Sequence, residues 1–242
     1  MQNKDLNIAV IGASGSLGSE FVRQLSEDEK IKSIFAFSRS EIEFNSHKVE
    51  SHFIDIEDEE SIKSVANKAS KDTDVDMVIV ATGMLHDQNI NPEKSLRDLS
   101  KEKFNQLFSI NTIAPAIIAK HFLPKLNKNS KSVFAALSAR VGSISDNKLG
   151  GWYSYRASKS ALNMVLKNAS IEIVRSNKKA IIVGLHPGTV DSKLSKPFQG
   201  AVNKEKLFTA KYSVQKLLEV INNLKQSDSG NIIDFNSIKI DF

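Results

Sequence analysis

Short apolar runs alternate along the chain with longer stretches in which apolar residues recur at helical spacing. The runs contain few polar residues, as is typical of parallel strands that are buried on both faces of a sheet. The repeated order of strand, helix and strand predicts an α/β fold with a doubly wound, seven-stranded parallel sheet flanked by helices. The predicted strands cover residues 6–11, 33–37, 48–54, 77–80, 132–137, 180–186 and 231–235.

Five helical patterns separate these strands, and no repeat, linker or composition shift divides the chain. We therefore predict a single domain over residues 1–242. Segment 191–211 is the least regular part, and long connections in compact domains often cover or bind ligands. It is the candidate substrate-binding loop, with Leu194 and Phe198 among its apolar members. The predicted helices cover residues 17–26, 59–69, 101–126, 154–176 and 214–225.

The composition is that of an ordinary globular protein, with 40% hydrophobic and 25% charged residues among 242. The absence of cysteine excludes disulfides and Cys nucleophiles, and the five histidines lack metal-ligand spacing, so we expect no metal. A net charge of +5 from scattered lysines argues against nucleic acid as a partner. The polar N-terminus runs directly into a strand, and no apolar stretch approaches the ~20 residues of a spanning helix. We expect a cytoplasmic protein without a membrane partner.

A glycine-rich segment follows the first predicted strand and opens the first predicted helix. Glycine permits a tight turn and close approach of the backbone, and the amides of a helix N-terminus attract phosphate. At this position the segment indicates the pyrophosphate site of a Rossmann-type dinucleotide-binding fold, although a merely tight turn is the alternative. The residues expected to contact the cofactor here are Gly12, Ser14, Gly15, Ser16, Leu17 and Gly18.

The end of the second strand indicates which dinucleotide is preferred. NAD-specific proteins place an acid here, on the ribose 2′-hydroxyl, whereas this chain has Ser38, Arg39 and Ser40. A cation with neighbouring hydroxyl groups suits a 2′-phosphate, so Ser38 and Arg39 predict NADP(H) as the preferred cofactor, with NAD(H) as the second choice. A solvated arginine, which would leave the preference open, is the alternative.

Tyr155 and Lys159 are four residues apart on a predicted helix and share one of its faces. An ammonium group close to a phenol favours the phenolate and lowers the tyrosine pKa, which would give a general acid/base near neutral pH. By itself, a tyrosine and a lysine at this spacing are usually ordinary residues of a helix surface. Here it follows the glycine-rich segment and a strand that ends in a hydroxyl group, so we interpret it as catalytic.

With these motifs the chain resembles the short-chain dehydrogenase/reductase family over nearly its whole length. Tyr155-x-x-x-Lys159, Asn111, the strand end at Ser138 and the segment Pro187-Gly188-Thr189-Val190 occur in family order. Within the family it looks most like the C-factor and sniffer-like carbonyl reductase branch, which carries similar Gly-Gly-x-Tyr-x-Tyr-Arg-x-Ser-Lys and Gly-Ser-Ile runs.

The resemblance implies roles for these residues. Tyr155 would be the acid/base, Lys159 would bind the nicotinamide ribose and depress the tyrosine pKa, and Asn111 would support a proton-relay water. Further cofactor contacts implied by the family are Asp55 and Ile56 at the adenine, Ala81, Thr82 and Gly83 after the fourth strand, and Pro187, Gly188, Thr189 and Val190 at the nicotinamide.

Three positions depart from the family pattern. Ser16 stands where glycine is common, and Ala81 replaces the usual asparagine. Ala139 occupies the place of the second of two serines, which normally polarises the substrate. Ser138, or Ser143 one turn beyond, would have to replace it, and we predict Ser138.

Two functions from different classes are consistent with these residues. The first is an NADPH-dependent reductase that transfers hydride between the nicotinamide and a carbonyl or alcohol group of a small apolar or amphipathic substrate. The alternative is a dinucleotide-binding regulatory or signalling protein with little or no turnover, which Ala139 and Ala81 favour and the intact Tyr155 and Lys159 disfavour. By the same resemblance, the long helices predicted at 101–126 and 154–176 form an interface, so we expect a homodimer or homotetramer.

Overall fold

A central sheet of eight strands organises the fold, in a computed structural model that describes residues 5–201 and 204–242. All seven predicted strands are present in it, and a small second sheet contains two further strands. The strands are β1 Leu6–Ile11, β2 Ile31–Ser38, β3 Val49–Phe53, β4 Met77–Val80, β5 Ser132–Leu137, β6 Ala180–His186, β7 Thr189–Val190, β8 Leu207–Phe208, β9 Ile232–Asp234 and β10 Lys239–Ile240.

Neighbouring strands of the parallel part follow the order β3-β2-β1-β4-β5-β6-β9. The chain starts in the middle at β1, winds outwards to β3, returns to β4 and winds outwards in the other direction. The carboxyl ends of β1 and β4 therefore lie at the point where the strand order reverses, which is where open α/β sheets form a binding crevice. The predicted doubly wound parallel arrangement is confirmed.

The sheet has eight strands rather than the predicted seven, because β10 pairs antiparallel with β9 at its edge. The chain reverses between them in a tight turn, in which Asp234 Oδ1 accepts hydrogen bonds of 2.9 Å from the backbone N–H groups of Asn236 and Ile238. Ser237 takes a positive φ of 65° in this turn. A strand of two residues is too short to leave a periodic pattern in a sequence.

Helices cover both faces of the sheet. The α-helices are α1 Ser16–Ser26, α2 Glu59–Ala69, α3 Lys101–Phe108, α4 Ala114–Phe122, α5 Tyr153–Ile173 and α6 Ala210–Asn223. On one face α2, α4 and α5 bury an apolar cluster that includes Phe37, Phe122 and Phe134, and on the other face α1 and α6 bury a second cluster around Phe21. None of the described helices is long and apolar enough to cross a membrane.

The helix predicted over 101–126 is interrupted between α3 and α4. A π-helical turn, Ser109–Ile113, joins the two and contains Asn111, whose side chain turns inward. Pro115 follows in the first turn of α4, where it has no N–H to donate to a continuous helix. Apolar spacing continues through both pieces, so the sequence pattern does not reveal the break.

The two ends of the predicted substrate-binding loop, 191–211, lie next to each other in the structure. β7 and β8 pair in parallel, and Asp191 N donates to Phe208 O at 2.8 Å. Its described part contains short 3₁₀ turns, and residues 202–203 lie outside the described residues. The segment is therefore anchored at both ends beside the carboxyl edge of the main sheet.

The two clusters predict where large apolar side chains stabilise the fold. Phe122 is fully buried, with its ring 6.4 Å from that of Phe37, whereas Phe53 is 65% exposed. Phe122→Ala should lower the free energy of unfolding by about 3–5 kcal/mol because it leaves a cavity. The matched control Phe53→Ala should change it by about 0.5 kcal/mol or less. Urea denaturation measures both, and equal losses would contradict the assignment of the core.

Candidate active site

The glycine-rich segment forms a tight turn between β1 and α1. Gly12 has a φ of +87°, and a Cβ atom at Gly18 would lie only 2.1 Å from Gly12 O, so both positions require glycine. Gly15 precedes α1 and offers no side-chain cap, and no acidic residue lies in the first helical turn. The first-turn amides therefore favour an anion. Ser16, the departure from the family pattern, is the first residue of α1 and lines the adjoining cavity.

Two cavities meet at this turn and together form one groove along the carboxyl ends of the strands. The larger, of about 700 Å³, reaches Tyr155, and the smaller, of about 360 Å³, reaches Arg39. Of the predicted cofactor residues, Asp55, Asn111 and Gly18 do not line either cavity. Those that do are Gly12, Ser14, Gly15, Ser16, Leu17, Ser38, Arg39, Ile56, Ala81, Thr82, Gly83, Tyr155, Lys159, Pro187, Gly188, Thr189 and Val190.

Asp55 and Asn111 make contacts within the protein instead. Asp55 Oδ1 accepts from the backbone N–H of Glu57 at 3.0 Å. The fully buried Asn111 accepts from Met84 N and donates to Met84 O, both at 2.8 Å, and also donates to Ser158 Oγ at 3.1 Å. Its side chain thus ties the segment after β4 to α5, and its amide is committed to these partners.

Tyr155 and Lys159 lie together on the buried face of α5 and line the larger cavity. Lys159 Nζ donates to Leu137 O at 2.9 Å and lies 6.0 Å from the centroid of the Tyr155 ring. Burial raises the pKa of Tyr155 to about 12 and lowers that of Lys159 to about 8. The expected lowering of the tyrosine pKa is therefore not found.

The physical reason is that removal from water disfavours both charged forms, phenolate and ammonium alike. The ammonium group also points to a backbone carbonyl rather than to the phenol oxygen. At neutral pH Tyr155 consequently holds its proton, which is the form that a general acid needs.

Of the two serines considered for the place of Ala139, only Ser138 lines the cavity. Its hydroxyl group donates to Asn163 Oδ1 at 2.6 Å. Ser143 lies instead within 3.2 Å of Ser145 Oγ and accepts from the backbone N–H of Asp146. Ser138 therefore faces the site, with its proton directed towards α5.

Apolar and aromatic side chains form part of the wall of the larger cavity. Trp152 lies with its ring 5.1 Å from that of Phe198 and 6.2 Å from that of Tyr155. Leu194 and Phe198 of the predicted substrate loop line this wall as expected. His86 holds the loop from outside, because its Nε2 is 3.1 Å from Leu194 O. Periodicity gave no signal for His86, which follows the fourth strand in an irregular segment.

The family model described as short chain dehydrogenase matches residues 6–203. The chain belongs to this family. It is accordingly an NAD(P)-dependent oxidoreductase, and the resemblance stated from its motifs is confirmed.

Among its relatives is 1-hydroxy-2-glutathionyl-2-methyl-3-butene dehydrogenase of Rhodococcus sp. (strain AD45), 28% identical over 225 residues that cover 92% of this chain and 93% of that protein. C-signal of Myxococcus xanthus is 30% identical over 146 residues, which cover 60% of this chain and 82% of that protein. The carbonyl reductase Sniffer of D. melanogaster has the same fold, with a TM-score of 0.85 at 20% identity over 98% of this chain and 100% of that one. The similarity to C-signal agrees with the branch that the motifs indicate, whereas the similarity to Sniffer shows the shared fold.

His186 also lines the cavity, and spacing alone did not single it out. It lies at the end of β6 beside Asp234 of β9, and Arg140 Nη2 donates to Asp234 Oδ2 at 3.1 Å. Its Nδ1 atom is buried and has no hydrogen-bond partner among the described residues. Burial, helped by the Arg140 cation and opposed by the Asp234 carboxylate, lowers the pKa of His186 to about 4.

This lowered pKa predicts an acid-dependent loss of stability. Between pH 6.5 and pH 4 the unfolded chain takes up a proton on His186 and the folded protein does not, so unfolding becomes more favourable as the pH falls. Relative to a His186→Asn variant, the wild type should lose roughly 2–3 kcal/mol more over this range. Urea denaturation of both proteins at pH 4 and pH 7 measures the difference, and parallel losses would refute a buried neutral imidazole.

Proposed function

We propose that the protein is an NADPH-dependent reductase that transfers hydride between the nicotinamide and a carbonyl or alcohol group of a small apolar or amphipathic substrate. The observation that carries this proposal is the burial of Tyr155 and Lys159 on one cavity wall, in a groove continuous with the glycine-rich turn. A protonated phenol at an apolar cavity suits proton transfer to a carbonyl oxygen.

The groove fits a nicotinamide dinucleotide in its chemistry. Thr82 Oγ1 is buried without a hydrogen-bond partner among the described residues and lines both cavities, so a bound molecule could satisfy it. The pyrophosphate would lie at the first-turn amides of α1, and Lys159 would hold the nicotinamide ribose. Pro187, Gly188, Thr189 and Val190 would surround the nicotinamide, whose reduced form supplies the hydride.

Side chains of the protein would donate the proton and stabilise the negative charge that develops on the substrate oxygen. Tyr155 donates its proton to the substrate oxygen as the alkoxide forms. Ser138 turns its hydroxyl proton from Asn163 to the same oxygen and stabilises the charge. Asn111 holds the segment after β4 against α5 through its bonds to Met84 and Ser158, and its own side chain stays out of the groove.

The wall formed by Trp152, Phe198 and Leu194 favours an apolar substrate with a flat face. Lys193 also lines the cavity and offers a cation to a substrate with a polar or acidic substituent. The Rhodococcus relative carries the name of a dehydrogenase for a glutathionyl hydroxy-butene, so oxidation of an alcohol is the reverse direction open to this site.

We also propose self-association through the outer faces of α4 and α5, as a homodimer or homotetramer. Large apolar side chains are exposed at Ile113, immediately before α4, and at Met164 and Ile171 on α5. The partner would be a second copy of the chain. Such a contact would cover the back of the helix that carries Tyr155.

Turnover should depend on the phenol of Tyr155. Tyr155→Phe should lower kcat for NADPH-dependent reduction of a panel of aldehydes, ketones and α-diketones about 10²–10⁴-fold, because the general acid is lost. The matched control Tyr153→Phe, two residues earlier on α5 and outside both cavities, should keep its activity. The measurement is NADPH absorbance, with NADPH binding determined on the same samples.

Tight NADPH binding by the wild type without turnover of any panel member would contradict the reductase. It would favour the regulatory protein instead, and Ala139 together with the bond from Ser138 to Asn163 would supply the reason for inactivity.

Cofactor preference should depend on Arg39, which lines the smaller cavity with Ser38 and Ser40. Arg39→Ala should weaken NADPH binding about 10–100-fold, the effect of losing a charge-assisted contact to the 2′-phosphate, and should leave NADH binding within about twofold. The exposed Arg97→Ala is the matched control. Calorimetric titration measures both cofactors, and an equal change for NADPH and NADH would refute the assignment.

A further inference from the structure

Three consecutive residues before α5 adopt the left-handed conformation, which is rare for residues other than glycine. Gly150 and Gly151 each have a φ of 64°, and Trp152 has a φ of 50°. Trp152 is a strained residue at the cavity wall, so the surrounding structure must hold it there. Tyr155 lies one turn later, and its position depends on how this turn is held.

The support comes from a distant part of the chain. Glu93, in the segment after β4, is 1% exposed. Its carboxylate accepts from Ser154 Oγ at 2.5 Å and from Ser154 N at 3.3 Å, and its backbone oxygen accepts from Trp152 N at 2.6 Å. On the other side Arg156 Nε donates to Gly151 O at 3.1 Å. The peptide group between Gly151 and Trp152, inside the left-handed turn, is therefore held at both its carbonyl and its N–H.

Helix α5 has no cap of its own. Trp152 makes no side-chain cap hydrogen bond, and the first turn contains no acidic residue. Glu93 supplies the two missing features, although it lies 61 residues before Ser154. Its carboxylate accepts from the otherwise unpaired backbone N–H of Ser154, and it places a negative charge at the helix N-terminus. Among the described residues Glu93 forms no ion pair, so these contacts are what keeps its carboxylate buried.

We infer that Glu93 is a positioning residue, which sets the location of Tyr155 and Trp152 by capping α5 from the segment after β4. Its catalytic consequence rests on the proposed reductase function. A general acid must lie within hydrogen-bond reach of its target, and a small displacement lowers the rate strongly. Glu93 acts only through the turn and the helix, since it does not line either cavity.

The test compares Glu93→Gln with Asp98→Asn in the full chain. Asp98 is a matched control in the same segment, because its exposed carboxylate also accepts from backbone N–H groups and a serine hydroxyl, those of Lys94 and Ser95, but does not contact α5. Trp152 is the single tryptophan of the protein, so its fluorescence reports on the turn directly.

Glu93→Gln should shift the Trp152 emission and raise its quenching by acrylamide. It should also lower kcat about tenfold or more for the panel compound that the wild type reduces fastest, with NADPH Kd within about twofold. Asp98→Asn should change none of these. Ser154→Ala removes one of the same contacts and should reproduce part of the effect, and combining it with Glu93→Gln should add little.

Wild-type emission, quenching and kcat in Glu93→Gln would overturn the inference. If Glu93→Gln does not fold, Ser154→Ala carries the test, and its wild-type behaviour in emission and kcat would overturn the inference equally. If the wild type reduces no carbonyl compound, the proposed function fails, whereas the fluorescence comparison still decides whether Glu93 holds the turn.

Discussion

The site depends on one constraint, the burial of a polar helix face against the ends of β5 and β6. Tyr155, Lys159 and Asn163 follow one another at four-residue spacing, so all three lie on the face of α5 that packs on the sheet. A polar group withdrawn from water requires a partner in the protein or in a ligand. Lys159 donates a hydrogen bond to the carbonyl of Leu137, and Asn163 accepts one from the hydroxyl group of Ser138. These two bonds fix the position of α5 on the carboxyl edge of the sheet.

Burial also shifts the pKa values at the site. It raises the pKa of Tyr155, so the phenol keeps its proton at neutral pH, and it lowers the pKa of Lys159 and of His186. It also leaves polar atoms unpartnered where a ligand would lie. Of the three such buried atoms in the described part of the chain, Thr82 Oγ1 and His186 Nδ1 belong to residues that line the groove. The third, Ser130 Oγ, lies away from the groove, so two of the three unpartnered side-chain atoms belong to residues at the cavity.

The segment after β4 connects the groove to α5 at two points. Asn111 bonds to both Met84 and Ser158, and Glu93 bonds to Ser154. The crevice at the point of strand reversal and the helix that carries Tyr155 are therefore parts of one hydrogen-bonded unit. The π-helical turn places Asn111 in this unit, which explains why an otherwise regular helix is interrupted there.

The sequence by itself determined the order of strands and helices, the glycine-rich turn and the pairing of Tyr155 with Lys159, because periodicity and glycine spacing are local properties of a chain. Only the tertiary structure decided that Ser138 rather than Ser143 faces the cavity, that β10 joins the sheet, and that the helix breaks at Asn111. The tertiary structure also decided the pKa of Tyr155 and the capping of α5 by Glu93. Each depends on burial and on partners that are distant along the chain, and packing alone brings those partners together.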